Sequence, residues 1–451
     1  MVRIGLMAKP IFVADRRRFL AGLGTALAAP ILPPAACAEA PQRGASQGSV
    51  SQGLALQAKE TTLNLRPGQP ETPVGSLQSA SPVLRFKPGK LDIAFQNDLP
   101  VPALLNWRGI DGVPAAEPLA AQAPLAAGMK AGLTVALRHS GTSVADLRLL
   151  GDAQGRSFRP LALVVEEDQP PTVDRDEVVL IEDWRLRAGG EAIAPGTDPA
   201  DAATLYTING QIAPDFTVRG QQRLRLRFIN GCQRAVIAVK IEGFEIRVMA
   251  LDSRPAEPFT ARNGALVLAP GGRADALVDV TVPPGTISPI LLHDGSRAHA
   301  VARLVTSAEP AIRQAPLPPA LALPAAGMPA QLELKNALRV ELGLGGDEWQ
   351  TPERFAASAA PAFAAKTGRT VVLALTHRAD RAVVFHLHGH HFRLLDRLDD
   401  GWKPFWLDTL AVEPGQTQRV AFLAEYAGRF LLESVGTDWT APRLVRWYSV
   451  G

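Results

Sequence analysis

Four of the chain's eight histidines fall within Val383-Val384-Phe385-His386-Leu387-His388-Gly389-His390-His391-Phe392. The residues before and after them are apolar and β-branched or aromatic, which predicts a strand with His386, His388 and His390 on one face. Two imidazoles spaced two residues apart on a strand face can reach a common metal ion. The same spacing also suits two rings hydrogen-bonded in a core, and the stretch by itself leaves both readings open.

The elements that must position these rings read as strands nearly throughout. From Pro82 onward, short alternating segments such as Leu91-Asp92-Ile93-Ala94-Phe95-Gln96-Asn97 and Leu133-Thr134-Val135-Ala136-Leu137 are separated by Pro, Gly, Asn and Asp turns. That pattern predicts an all-β chain built of sandwiches. Three blocks follow one another, at residues 81–168, 174–307 and 331–451, with a Pro/Ala-rich linker at 308–330 and a polar, mostly flexible lead-in at 39–80, in which Thr61-Thr62-Leu63-Asn64-Leu65 is a candidate first strand. The second block contains Arg223-Leu224-Arg225-Leu226-Arg227-Phe228, whose three arginines share a face that is expected to be solvated. In the third, the Ala-rich stretch from Thr351 to Lys366 is expected to be helical.

Asp15-Arg16-Arg17-Arg18-Phe19-Leu20-Ala21, followed by a short Ala/Gly-rich apolar run and the cleavage site Ala36-Cys37-Ala38, resembles a twin-arginine export signal over residues 1–38. The expected destination is the periplasm, reached through the twin-arginine translocase. The leader holds five of the 47 basic residues and one of the 44 acidic ones. The rest of the chain is therefore close to neutral, and no positive field for nucleic acid is expected. One cysteine, Cys232, remains beyond the leader, so no disulfide forms within the mature chain; it reads as a small buried residue.

The run Phe385-His386-Leu387-His388-Gly389-His390 resembles the multicopper oxidase family, as do Asp408-Thr409-Leu410, Pro414-Gly415 and Ala427-Gly428-Arg429-Phe430-Leu431. The resemblance implies three cupredoxin-like Greek-key β-sandwich domains. It also implies a place for a three-copper cluster held by four His-x-His pairs, and for a mononuclear copper bound through Cys and His. Only one pair, His386 and His388, is present as metal ligands. Where the family has the others, this chain has Asn106 and Arg108, Asp146 and Arg148, and Glu433 and Val435. Val383 and Ser434 stand where the mononuclear copper would take a His and its Cys. The remaining histidines, His139, His293, His299 and His377, match no motif position and are expected at the surface or in loops.

The substituted positions imply a salt-bridged network in which Arg108 and Arg148 face Asp146 and Glu433. No cofactor is then expected. The chain resembles the family's copper-free branch, which includes a bacterial cell-division protein, and a non-enzymatic scaffold or binding role among division or envelope proteins follows. The alternative is a copper-binding oxidoreductase or copper-handling protein with one ion on His386, His388 and either Asp146 or Glu433.

Overall fold

The computed structural model describes residues 51–325, 327–396 and 401–451. The export signal and residues 39–50 lie outside the described residues. Six β-sheets pair into three sandwiches, as the period-2 patterning requires.

In the first sandwich one sheet has the strand order Lys130–Leu137, Gly89–Asn97, Ser51–Leu63, Thr72–Gln78, Phe158–Arg159. Its partner sheet runs Val83–Phe86, Leu161–Val165, Gly141–Asp146, Asn106–Arg108. Leu56, Ile93, Phe95 and Val135 from the first sheet meet Trp107, Ala145 and Leu163 from the second in one core. The stretch expected to be a flexible lead-in instead supplies the central strand of this domain, Ser51–Leu63, parallel to Gly89–Asn97 and antiparallel to Thr72–Gln78. Leu56 and Ala58 are buried on its inner face. Ser51, Gln57 and Lys59 fall on the alternate positions, and Gln52 and Glu60 flank the buried pair on its own face, so the polar composition concealed the alternation.

Asn97 closes the strand Gly89–Asn97 by tying down the loop that follows. Its Nδ2 donates to the carbonyls of Val101 (2.9 Å) and Leu125 (2.8 Å), and its Oδ1 accepts from the Leu99 amide at 3.0 Å. Asn230 does the same in the second domain, with the carbonyls of Ala235 and Leu268 and the amide of Cys232. Asn97→Ala takes away the side-chain partners of the Leu99 amide and the Val101 carbonyl, while the Leu125 carbonyl keeps the Ala103 amide, and a loss of about 1–3 kcal/mol is expected in urea unfolding.

The second sandwich packs a six-stranded sheet, which contains Arg175–Leu186, Arg223–Asn230 and Arg273–Asp279, on a five-stranded one. Arg223, Arg225 and Arg227 do share a face, but it is not solvated: each is at most 4% exposed. Arg225 is held by Glu167 (2.6 Å) and Asp275 (2.7 Å), and Arg227 by Asp176 (2.6 Å), Asp275 (2.9 Å) and Thr142. Arg223 pairs with Asp279 and reaches the carbonyls of Leu317 and Pro318. The first domain and the segment after the second cover this face, a tertiary fact that alternation alone does not reveal.

In the third sandwich the strand Val383–Leu387 lies between Gly428–Gly436 and Thr409–Val412. The stretch from Thr351 to Lys366 is not helical. It forms a single 3-10 turn at Pro352–Arg354 and a short strand, Ala364–Ala365, because Pro361 breaks helical pairing and Phe363 is drawn into the core.

Candidate functional site

The register His386↔Glu433 and Val384↔Val435 places these four residues on the outer face of the third domain's sheet, while Phe385 and Leu387 fill the core behind it. In the first domain Asn106 pairs with Asp146, and Arg108 with Val144, on the face opposite Trp107 and Ala145. The two outer faces meet, and the groups at their contact are buried: Asn106 1%, Arg108 6%, His386 2%, His388 4% and Glu433 0% exposed.

Glu433 is the hub. Its Oε1 accepts from Arg108 Nη2 at 3.0 Å, from His388 Nε2 at 2.9 Å and from Asn106 Nδ2 at 3.3 Å. Its Oε2 accepts from Arg108 Nη2 at 3.1 Å and from Arg443 Nη1. Burial alone would raise the pKa of this carboxyl; the Arg108 and Arg443 guanidiniums hold it well below the usual range. His388 is enclosed by two carboxylates, with Nδ1 2.8 Å from Glu117 Oε1 and Nε2 2.9 Å from Glu433 Oε1. Burial would push its pKa down, but Glu117 and Glu433 outweigh it and raise the pKa to about 9. His388 is therefore an imidazolium that donates from both nitrogens.

That state makes a pH prediction. A group whose pKa is raised in the folded protein stabilises it fully below the unfolded value of 6.5, and the contribution is lost as pH rises through about 9. The melting temperature of the wild type is expected to fall toward that of His388→Gln as pH climbs from neutral through 9. A difference between the two proteins that stays constant over that range would contradict the assignment.

His386, 4.7 Å away ring to ring, is in the opposite state. Its Nδ1 donates to the Asp408 carbonyl (2.9 Å) and to Thr409 Oγ1 (3.0 Å), whose own proton goes to the Asp408 carboxylate. Burial, and then the nearby Arg108 cation, depress its pKa well below the ordinary value. Its Nε2 carries a lone pair and has no partner among the described residues.

The alternation breaks after His388. Gly389 has φ +73°, and a Cβ there would stand 2.2 Å from the Phe430 ring. His390 consequently turns into an aromatic core of Phe422, Tyr426, Phe430 and Tyr448 instead of sharing the face of His386 and His388. Its Nδ1 donates to Tyr448 Oη at 2.7 Å, since that hydroxyl gives its own proton to the His388 carbonyl, and its Nε2 accepts from the Tyr426 amide. His391 points to the junction of all three domains, between Asp111 (2.9 Å) and the carbonyl of Asp252 (2.6 Å), with Arg254 also paired to Asp111.

Of the residues expected in one network, the structure brings Asn106, Arg108, His388 and Glu433 together. Arg148 is a correction. Only its backbone amide meets Asp146 (3.0 Å), while its guanidinium turns to the carbonyls of Phe158 (3.0 Å) and Cys232 (3.5 Å). The second arginine on Glu433 is Arg443, and the second carboxylate on His388 is Glu117; sequence reasoning missed both. Arg443 left a signal, as the first of the alternating positions 443, 445 and 447 of a strand whose other two, Val445 and Trp447, are apolar and pack against the first domain on the same outer face as Glu433. Asp146, Arg148 and Val435 line a neighbouring cavity with Arg108, His386 and Arg443. Val383 and Ser434 face the interior of the third domain. Of the four histidines outside the motif, His377 is a buried loop residue bonded to the Arg381 carbonyl, and His139, His293 and His299 are partly exposed; none joins the site.

Residues 175–286 and 331–450 each match a family model described as Multicopper oxidase, and together these span about half of the chain. The chain belongs to the multicopper oxidase family. It is 25% identical over 325 residues to the multicopper oxidase MmcO of Mycobacterium tuberculosis, an alignment covering 62% of this chain and 63% of that one. It is 32% identical over 95 residues to putative laccase-17 of Oryza sativa subsp. japonica, covering 21% and 16%. The chain thus spans less than two thirds of the length of these curated relatives. A solved multicopper oxidase from Pseudomonas thermotolerans superposes with a TM-score of 0.77 at 24% identity, over 90% of this chain and all of that one. The superposition establishes the fold as that of multicopper oxidases, with cupredoxin-like domains, and membership makes copper the cofactor to weigh against the residues present.

Proposed function

We propose that this multicopper oxidase relative works without copper, as a periplasmic binding or scaffold protein of the division or envelope machinery. The observation that carries the reading is Glu433, whose carboxylate is occupied by Arg108, Arg443, His388 and Asn106. A copper cluster needs neutral imidazoles with free lone pairs and a site that welcomes positive charge. Here His388 donates from both nitrogens, and two guanidiniums stand where cations would have to gather. These residues do not fit a three-copper cluster. With Val383 and Ser434 in the third domain's core, no thiolate is at hand to receive electrons from a substrate either.

One observation favours a second reading. Single ligand atoms of His386, His388 and Glu433 lie within 4.8 Å of one another, and His386 Nε2 is free of partners. One metal ion held there, in a copper-handling protein or an oxidoreductase, would need His388 to release its proton and Glu433 to release its arginines. Metal analysis separates the two readings. The mature protein, purified from periplasm of copper-supplemented cells and again after anaerobic Cu(I) loading, is expected to hold no stoichiometric metal and to oxidise no phenolic substrate. A bound ion lost in His386→Ala and in His388→Ala would establish the second reading.

A further inference from the structure

Beside the Glu433 hub the three domains enclose a cavity of about 20 Å³, room for little more than one water-sized particle. Arg108, Asp146 and Arg148 line it from the first domain, Cys232 from the second, and His386 and Arg443 from the third. Three guanidiniums, Arg108, Arg148 and Arg443, thus share two carboxylates, Asp146 and Glu433, around a buried space, one positive charge in excess. Arg108 and Arg443 both draw on Glu433, and the Arg148 guanidinium meets carbonyl oxygens alone among its hydrogen-bond partners. Of the next carboxylates outward, Asp152 is taken by Arg234, and Asp183 is shared among Arg185, Arg148 and Arg234, so it does not cancel the excess by itself.

Two donors are left over. Among the described residues Arg108 Nη1 and Arg443 Nε have no partner, and both are buried, on residues 6% and 4% exposed. A buried charged N–H with no acceptor is costly, and a cation in excess of its carboxylates is costlier still. Cys232 supplies no charge, because its thiol is fully buried beside the second domain's core. Water would satisfy the hydrogen bonds but would leave the surplus positive charge uncompensated.

We propose that this cavity is a binding site for a small monovalent anion of halide size, seated between Arg108 Nη1 and Arg443 Nε with Arg148 as the third positive wall. The bare Nε2 of His386 is an acceptor, so it keeps the anion on the arginine side and takes a hydrogen from an intervening water. A centre that in copper-loaded relatives gathers cations is here selective for the opposite sign. The proposal rests on the copper-free reading.

Crystals of the mature protein grown in sodium bromide, measured at the bromine edge, are expected to show an anomalous peak between Arg108 and Arg443. In solution the melting temperature is expected to rise with the logarithm of chloride or bromide concentration, with ionic strength held constant by gluconate, which is too large for the cavity. Val435→Ile extends a methyl group into the cavity without touching a charge and is expected to abolish the halide dependence. Absence of the bromine peak overturns the proposal and leaves the copper-free reading intact, as does a halide effect that survives unchanged in a folded V435I. A copper-edge peak at His386 overturns both. Should V435I fail to fold, the wild-type anomalous map decides alone.

Discussion

Glu433→Gln is expected to lower the stability of the mature protein by about 3–5 kcal/mol. The neutral amide keeps the shape of the side chain but leaves Arg108, Arg443 and the His388 imidazolium gathered in a site with no exposure to solvent at position 433. Most of the loss comes from the stranded cations rather than from the missing hydrogen bonds. The combined replacement Arg108→Met, Glu433→Leu and Arg443→Met removes both signs of charge together and is expected to recover most of the loss. Urea unfolding of the single and triple variants measures both quantities. A triple variant as unstable as Glu433→Gln would mean that packing, not charge, governs this site.

Arg273→Ala is expected to have an effect of similar size, about 3–5 kcal/mol, expressed at a different place. Arg273 is 1% exposed and forks onto Asp408 of the third domain, with Nη1–Oδ1 3.0 Å and Nη2–Oδ2 2.7 Å. Its Nε reaches the Thr142 carbonyl of the first domain at 3.2 Å, and Nη2 the Ser253 hydroxyl of its own. One side chain thus joins all three sandwiches. Burial would raise the Asp408 pKa, but Arg273 keeps it well below the carboxylate range, so removing the arginine leaves a buried anion beside Asp252. Calorimetry is expected to show one joint unfolding transition for the wild type and separate ones for Arg273→Ala, because each domain keeps its own core while the joint between them fails. Arg273→Lys is expected to restore little, since an ammonium cannot fork onto Asp408 while also reaching Thr142.

Much of this architecture was readable as alternation. Leu91–Asn97 and Leu133–Leu137 proved to be strands because a sheet with one buried face writes its period into the chain, and Val383–Leu387, buried on both faces, because its residues around His386 are β-branched or apolar. What alternation conveys is which residues share a face, not what covers that face. Arg223, Arg225 and Arg227 were therefore placed together correctly and assigned to the wrong surroundings. The histidine run shows a second limit. Gly389 takes a left-handed φ, so His390 leaves the face of its neighbours, and the only trace in the sequence is the glycine itself. The site divides in the same way. Arg108, His388 and Glu433 could be read from the family's motif positions, whereas Glu117 and Arg443 lie outside any motif and enter the network through the packing of the first and third domains.

That Arg443 and Glu117 stand outside the family's ligand positions bears on how such a centre can be altered. A mutational path between an ionic and a metal-binding interior cannot run through the ligand positions in arbitrary order. Exchanging Glu433 first strands two arginines, whereas exchanging Arg443 first leaves Glu433 still neutralised by Arg108 and His388. Position 443 therefore sets the order in which this interior can be rebuilt: while Arg443 remains, a neutral residue at 433 leaves two guanidiniums stranded, however many histidines are placed around it.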